Sequence, residues 1–219
     1  MQQSLEPLGS VAAYADANAG ANARQIFRHS GHVISEHRRQ VLQQQPATIW
    51  LTGLSGAGKS TLAYEMERQL LSRSRLSFVL DGDNLRHRLN RDLGFTASDR
   101  QENTRRTAEV ASLMNDAGLI VFTALISPHR DDRAMARSII GGHRFIEVHV
   151  SASLEVCEGR DPKGLYNKAR AGLIPGFTGV SAPYEEPDAP DLRIDTGQGK
   201  LQHSVDQLMA LLAQKGLVQ

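Results

Sequence analysis

From about residue 47 the chain alternates short apolar runs with longer stretches in which apolar positions recur every three or four residues. The runs at 47–51, 76–80, 119–126 and 145–150 have the length of strands, and 119–126 is apolar on both faces, as a strand covered on both sides must be. Residues 59–72 put Leu62, Ala63, Met66 and Leu70 on one face of a helix. A second helix, capped by Ser98 or Asp99, runs to 116 with Val110, Leu113 and Met114 as its apolar side, and Gly118 stops it. Helical spacing returns at 131–140, 154–160 and 201–212, and 192–194 reads as a short fifth strand. Residues 33–43 predict an amphipathic helix ended by Pro46.

Strands alternating with helices imply right-handed crossovers and a parallel sheet of about five strands with helices on both faces, an α/β fold. Reactive groups then gather at the carboxyl ends of the strands. Two segments break the pattern. Residues 1–27, rich in Ala, Asn, Gln and Gly, read as a flexible tail ahead of one domain over 28–219. Residues 161–190 carry Pro162, Pro175, Pro183 and Pro187 among several glycines; so long a stretch without periodicity reads as a lid over a site.

Composition narrows the functional classes. With 25 Lys and Arg against 24 Asp and Glu, no global field favours nucleic acid or a membrane, so any anion site is local. The single cysteine, Cys157, excludes an internal disulfide and a multi-cysteine metal site, which fits a cytoplasmic protein. No apolar run is long enough to span a bilayer, and no signal peptide is expected at the N-terminus. His29 and His32 lack a third ligand at a metal-site spacing.

The strongest chemical signal follows the first strand. Gly53, Leu54, Ser55, Gly56, Ala57, Gly58, Lys59 and Ser60 spell G-x-x-x-x-G-K-S, with Thr61 next, between an apolar strand and an amphipathic helix. Such a loop turns backbone N–H groups toward phosphate oxygens, with a lysine for the β- and γ-phosphates and a hydroxyl for Mg²⁺. ATP and Mg²⁺ are therefore expected.

The second strand ends in Asp81-Gly-Asp83-Asn84-Leu-Arg86. Carboxylates two apart on a strand point the same way, and could bind Mg²⁺-bound water or accept a hydroxyl proton. The alternative is an Asx-type turn capping a helix. Arg86, Arg100 and Asn103 could converge on an anionic acceptor, since arginine forks match sulfate and phosphate oxygens. Arg105 and Arg106 read equally as surface partners of Glu102, and Lys163 and Arg170 as lid cations or exposed loop charges. Ser127 either donates to a substrate or starts the turn before Pro128.

These motifs, taken in order over about residues 33–196, resemble the adenylylsulfate (APS) kinase family. The resemblance is carried by the segment 49–63, by Leu80-Asp-Gly-Asp-Asn-Leu-Arg-His87, Leu89-Asn-Arg-Asp-Leu-Gly-Phe95, Ile126-Ser-Pro128, Arg160-Asp-Pro-Lys-Gly-Leu-Tyr166 and Phe177-Thr-Gly179. It implies a P-loop kinase that moves the ATP γ-phosphate to the 3′-hydroxyl of adenosine 5′-phosphosulfate, giving 3′-phosphoadenylyl sulfate (PAPS) and ADP. By the same resemblance Arg86, Phe95, Arg100, Asn103, Ile126, Ser127, Lys163, Leu165 and Phe177 bind APS, with Phe95 and Phe177 stacking its adenine. Ser60 and Asp81 hold the metal, Asp81 or Asp83 positions or deprotonates the hydroxyl, and Ser127 matches a serine described as a phosphorylated intermediate. The family implies a homodimer and coupling to ATP sulfurylase.

Arg88 stands where the family mostly has Gly, and Leu173, Pro175 and Gly176 replace a more polar stretch. A regulatory domain of the same family would have lost P-loop residues, whereas Lys59, Ser60, Asp81 and Asp83 are all present. A kinase for another small acceptor, such as a nucleoside monophosphate or a sugar acid, would lack the Asp-Gly-Asp-Asn and Lys-Gly-Leu-Tyr motifs.

Overall fold

In the computed structural model, which describes residue 29 and residues 31–218, five strands form one parallel sheet in the order β2-β3-β1-β4-β5. They are β1 (Thr48–Thr52), β2 (Ser77–Asp81), β3 (Ile120–Ala124), β4 (Phe145–Ser151) and β5 (Leu192–Asp195). The tail expected over 1–27 lies outside the described residues. β1 is buried along its whole length. Its alternating side chains divide the core: Ile49 and Leu51 pack with Met66, Leu70, Val148 and Leu208 on one face, and Trp50 with Ala108, Ala111, Val121 and Phe145 on the other. Each such large side chain, fully buried, contributes about 1.5–3 kcal/mol.

Helix α1 (Ser35–Leu42) precedes β1, and α2 (Lys59–Ser72) follows it. The short α3 (Gly82–Arg86) leads to α4 (Ala97–Asp116) and, past β3, α5 (Arg130–Ile140). After β4 come α6 (Leu154–Arg160) and α7 (Leu165–Arg170), and α8 (Leu201–Gln214) closes the chain. Helix α1 ends at Gln43, in the left-handed region at φ 50°, before Pro46 is reached. Gln44 then ties three strand starts together: its amide donates to the carbonyls of Leu76 and Gly118 and accepts from Leu76 N–H.

Three expectations are corrected. The cap of α4 is Thr96, whose hydroxyl accepts from Asp99 N–H while Asp99 Oδ2 accepts from Thr96 N–H. This reciprocal capping box makes Asp99 its third residue rather than its start. Residues 82–86 form α3 because Asp81 Oδ1 accepts from the N–H groups of Asp83 and Asn84. Residues 161–190 are not without regular structure. Asp161 accepts from Tyr166 and Asn167 N–H and so starts α7, and Tyr166, Ala169 and Phe177 join the core.

Residues 184–188 form a strap across the carboxyl end of β1 and the start of α5. Thr52 Oγ1 donates to Ile126 O, so Tyr184 donates its phenol to Thr52 at 2.9 Å. Arg133, 3% exposed, donates to Glu147, to Ser127 O and to Glu185 O. Arg130 pairs with Asp188 at 2.9 Å.

Candidate active site

β1 is flanked by β3 and β4, with β2 beyond β3, so successive crossovers leave the sheet in opposite directions from β1. Ligands of open parallel sheets bind at such a switch point, and here the glycine-rich loop occupies it. Gly53 must be glycine: a Cβ there would lie 2.2 Å from Val150 O. Gly58 takes φ 95° immediately before α2, a conformation L side chains rarely adopt.

A loop that turns its N–H groups inward turns carbonyls outward, and buried carbonyls need partners. Each is supplied. Lys59 Nζ donates to Gly53 O at 2.9 Å and Leu54 O at 2.7 Å. Tyr166 donates to Ser55 O at 2.9 Å, Arg160 to Gly56 O at 3.2 Å and Thr196 Oγ1 to Ala57 O at 2.8 Å. The last carbonyl, Gly58 O, accepts from Leu62 N–H in the first turn of α2. The loop is thus held open from behind before a ligand arrives. Burial lowers the Lys59 ammonium from 10.5 to about 8.

At the end of β2, Ser60 Oγ donates to Asp81 Oδ2 at 2.6 Å, while Oδ1 caps α3. Asp81 is thus a helix cap, as one reading of this turn had it, and its second oxygen partners the loop serine; Asp83 stands in α3, so the two carboxylates do not share a strand face. Asp83, one turn further, is exposed and pairs with Lys163 across the cleft.

The cleft has a volume of about 1100 Å³, at the top of the range for small-molecule sites. From the loop, Ser55, Gly56, Gly58, Lys59, Ser60 and Thr61 line it; Gly53, Leu54 and Ala57 do not and serve as its backing. Asp81 and Asp83 line it, as do all nine residues expected on the acceptor side, Arg86, Phe95, Arg100, Asn103, Ile126, Ser127, Lys163, Leu165 and Phe177. Phe95 is 64% exposed, with the Arg86 guanidinium 4.4 Å and the Arg100 guanidinium 5.7 Å from its ring centre. Arg86 donates to Gly94 O, and Arg100 bridges Phe95 O and Gly176 O, which fixes the ring's loop against the Phe177 segment. Burial, and for Arg86 also its neighbour Arg100, lowers both guanidinium pKa values, with Asp99 and Asp83 opposing the shift at Arg86. Asn103 accepts from the buried Asn90 amide at 3.0 Å.

Other candidates fall elsewhere. Arg105 and Arg106 pair with Glu102, and Arg106 also with Asp92, on the surface. Arg170 pairs with Glu158. Ser127 lines the cleft but is 4% exposed, and its Oγ accepts from Trp50 Nε1 at 3.1 Å. Among the described residues no group of three or more His, Cys, Asp or Glu is placed to hold a metal ion. Sequence reasoning missed Arg160, Tyr166 and Thr196; the Arg160-Asp-Pro motif was visible, but nothing in it says that its arginine reaches a loop carbonyl.

The adenylylsulphate kinase family model matches residues 45–195. An adenylyl-sulfate kinase of Shewanella pealeana is 54% identical over 188 residues, which cover 86% of this chain and 92% of that protein. One from Vibrio cholerae is 50% identical over 199 residues, 91% of this chain and 93% of that protein. The structure of a Mycobacterium tuberculosis APS kinase in complex with AMPPNP and APS superposes with a TM-score of 0.75 at 47% identity, covering 78% of this chain and 99% of that one.

Proposed function

The chain belongs to the adenylylsulphate kinase family, and from that membership we propose how its cleft carries out the family's reaction. It is an ATP:adenylylsulfate 3′-phosphotransferase: the γ-phosphoryl group of ATP passes to the ribose 3′-hydroxyl of adenosine 5′-phosphosulfate, giving PAPS and ADP. The observation that supports the detailed assignment is the fully partnered outer rim of the glycine loop: apart from Ala57 N–H, which donates to Leu54 O, it leaves the loop's N–H groups for a polyphosphate on the same side as Asp83, Arg86 and Arg100.

ATP sits with its phosphates over the loop and the start of α2, where the helix dipole favours anions. Lys59 exchanges its two carbonyl partners for β- and γ-phosphate oxygens and neutralises charge as it builds in transfer. The adjacent Ser60 hydroxyl and Asp81 Oδ2 are hard oxygen donors that fit Mg²⁺, with phosphate and water for its remaining positions. Bound there, Mg²⁺ would neutralise phosphate charge.

APS lies between Phe95 and Phe177, its sulfate and phosphate met by Arg86 and Arg100 and by the Asn103 amide. Asp83 serves as the base: Asp81 has one oxygen capping α3 and the other on Ser60, whereas the Asp83 side chain pairs, among the described residues, with the exposed Lys163 ammonium. The bond from the γ-phosphorus to the β-bridging oxygen breaks, the bond to O3′ forms, and the 3′ proton goes to Asp83. Lys163, released, meets the transferring phosphoryl. Ser127 holds the strand end through Trp50 and is not required to carry the phosphate, since in-line transfer needs only position and charge.

No helix among the described residues is long and apolar enough to cross a membrane. A homodimer and coupling to ATP sulfurylase rest on the family resemblance, and a cytoplasmic site of action on the cysteine content. The deciding assay measures ADP formed from ATP with APS, AMP or gluconate as acceptor. APS-dependent turnover that vanishes with Lys59→Ala supports the reading; turnover no faster than that variant, or preference for another acceptor, overturns it.

A further inference from the structure

Of the three side chains from beyond the loop and its helix that hold the loop's carbonyls, Arg160, Tyr166 and Thr196, the tyrosine also touches the other half of the cleft. Tyr166 is 2% exposed and lies behind the wall. Its hydroxyl donates to Ser55 O at 2.9 Å, and its ring meets the edge of Phe177 with centroids 5.0 Å apart and planes at 79°. Ser55 and Phe177 both line the cleft, one on the phosphate side and one on the acceptor side. Asp161, which accepts from Tyr166 N–H, fixes where the ring starts.

Resting on the reading of Phe177 as an acceptor contact, we propose that Tyr166 is a positioning residue that couples the two substrate sites. A purine packed on Phe177 holds that ring, the edge contact holds the tyrosine ring, and the hydroxyl then keeps the Ser55 peptide with its carbonyl outward. The loop N–H groups stay aimed at phosphate. In the reverse direction, a polyphosphate that orders the loop orders Tyr166 and the wall on which the purine stacks. Such coupling is reciprocal by thermodynamic necessity, and typical values run about 5–150-fold. The phenol keeps its donor proton: burial first, and the neighbouring Cys157 next, raise its pKa well above its ordinary value.

Tyr166→Phe tests this, because it keeps the ring and its contact with Phe177 and deletes only the hydroxyl. Calorimetry on the full chain measures AMPPNP·Mg²⁺ binding without APS and with saturating APS. In the unaltered protein APS tightens AMPPNP by about fivefold or more; in Tyr166→Phe that factor falls toward one. A second variant, Phe177→Leu, cuts the other end of the relay; measured at APS concentrations that saturate the variant, its factor also falls toward one. If Tyr166 merely supported the fold, Tyr166→Phe would lower the melting temperature and leave the factor unchanged, which overturns the proposal. So does an unaltered protein whose sites bind independently. The functional reading is judged separately, by whether the unaltered protein turns over APS at all.

Discussion

Replacing Lys59 by methionine tests the phosphate site most directly. The residue is 8% exposed, and burial lowers its ammonium pKa from 10.5 to about 8. A drop of that size means about 3 kcal/mol against the charged form at neutral pH. Opposing this are its two bonds to Gly53 O and Leu54 O, worth about 1.5–3 kcal/mol each as bonds from a charged donor. The bonds exceed that cost by at most about 3 kcal/mol, so stability should fall by no more than that, and the melting temperature of a chain this size by less than about 12 °C. Turnover has no such offset. Losing one preorganised positive donor to the transferring phosphoryl costs about 10²–10³ in kcat. The assay is APS-dependent ADP release beside a thermal melt of the same preparation. A folded Lys59→Met protein whose kcat stays within tenfold of the parent would refute the argument.

The same lysine sets a pH dependence. Phosphate binds the charged form, so nucleotide affinity should be flat below about pH 8 and fall up to tenfold per unit above it; titrations from pH 7 to 9.5 check this, and a flat profile throughout contradicts it. Asp83→Asn should lower kcat by about 10²–10⁴ with little change in KM for ATP; steady-state kinetics near the parent rate would move the base to Asp81. Ser127→Ala should keep kcat within about tenfold, its cost being the lost Trp50 partner, about 1–3 kcal/mol in urea unfolding; loss of turnover beyond a thousandfold would make the serine chemical. Arg133→Met leaves Glu147 and two carbonyls short of a buried partner, and should destabilise by about 3–5 kcal/mol in the same unfolding experiment.

What the sequence disclosed was what is local in it. The glycine loop, the paired aspartates and each strand-helix step span only a few consecutive residues, and all appeared close to where they were expected. The start of α4 was harder, because Thr96, Ser98 and Asp99 all suit a cap and only the reciprocal bond with Asp99 decides among them. The clamps on the loop were invisible for a different reason. Arg160, Tyr166 and Thr196 lie 104, 111 and 139 residues from their partners. Those partners are backbone carbonyls, which carry no residue signature. Helix α7 was hidden by its six-residue length, too short for a periodicity to show.

The strap at 184–188 has a consequence for the chain between it and α7. Tyr184, Glu185 and Asp188 are moored to β1, to the turn at Pro128 and to α5. Upstream, Asp161 and Tyr166 moor α7 to the loop side. Leu173, 72% exposed, sits between two fixed posts like the middle of a footbridge. A protease cutting there would leave both halves tied down, and the sheet behind them undisturbed.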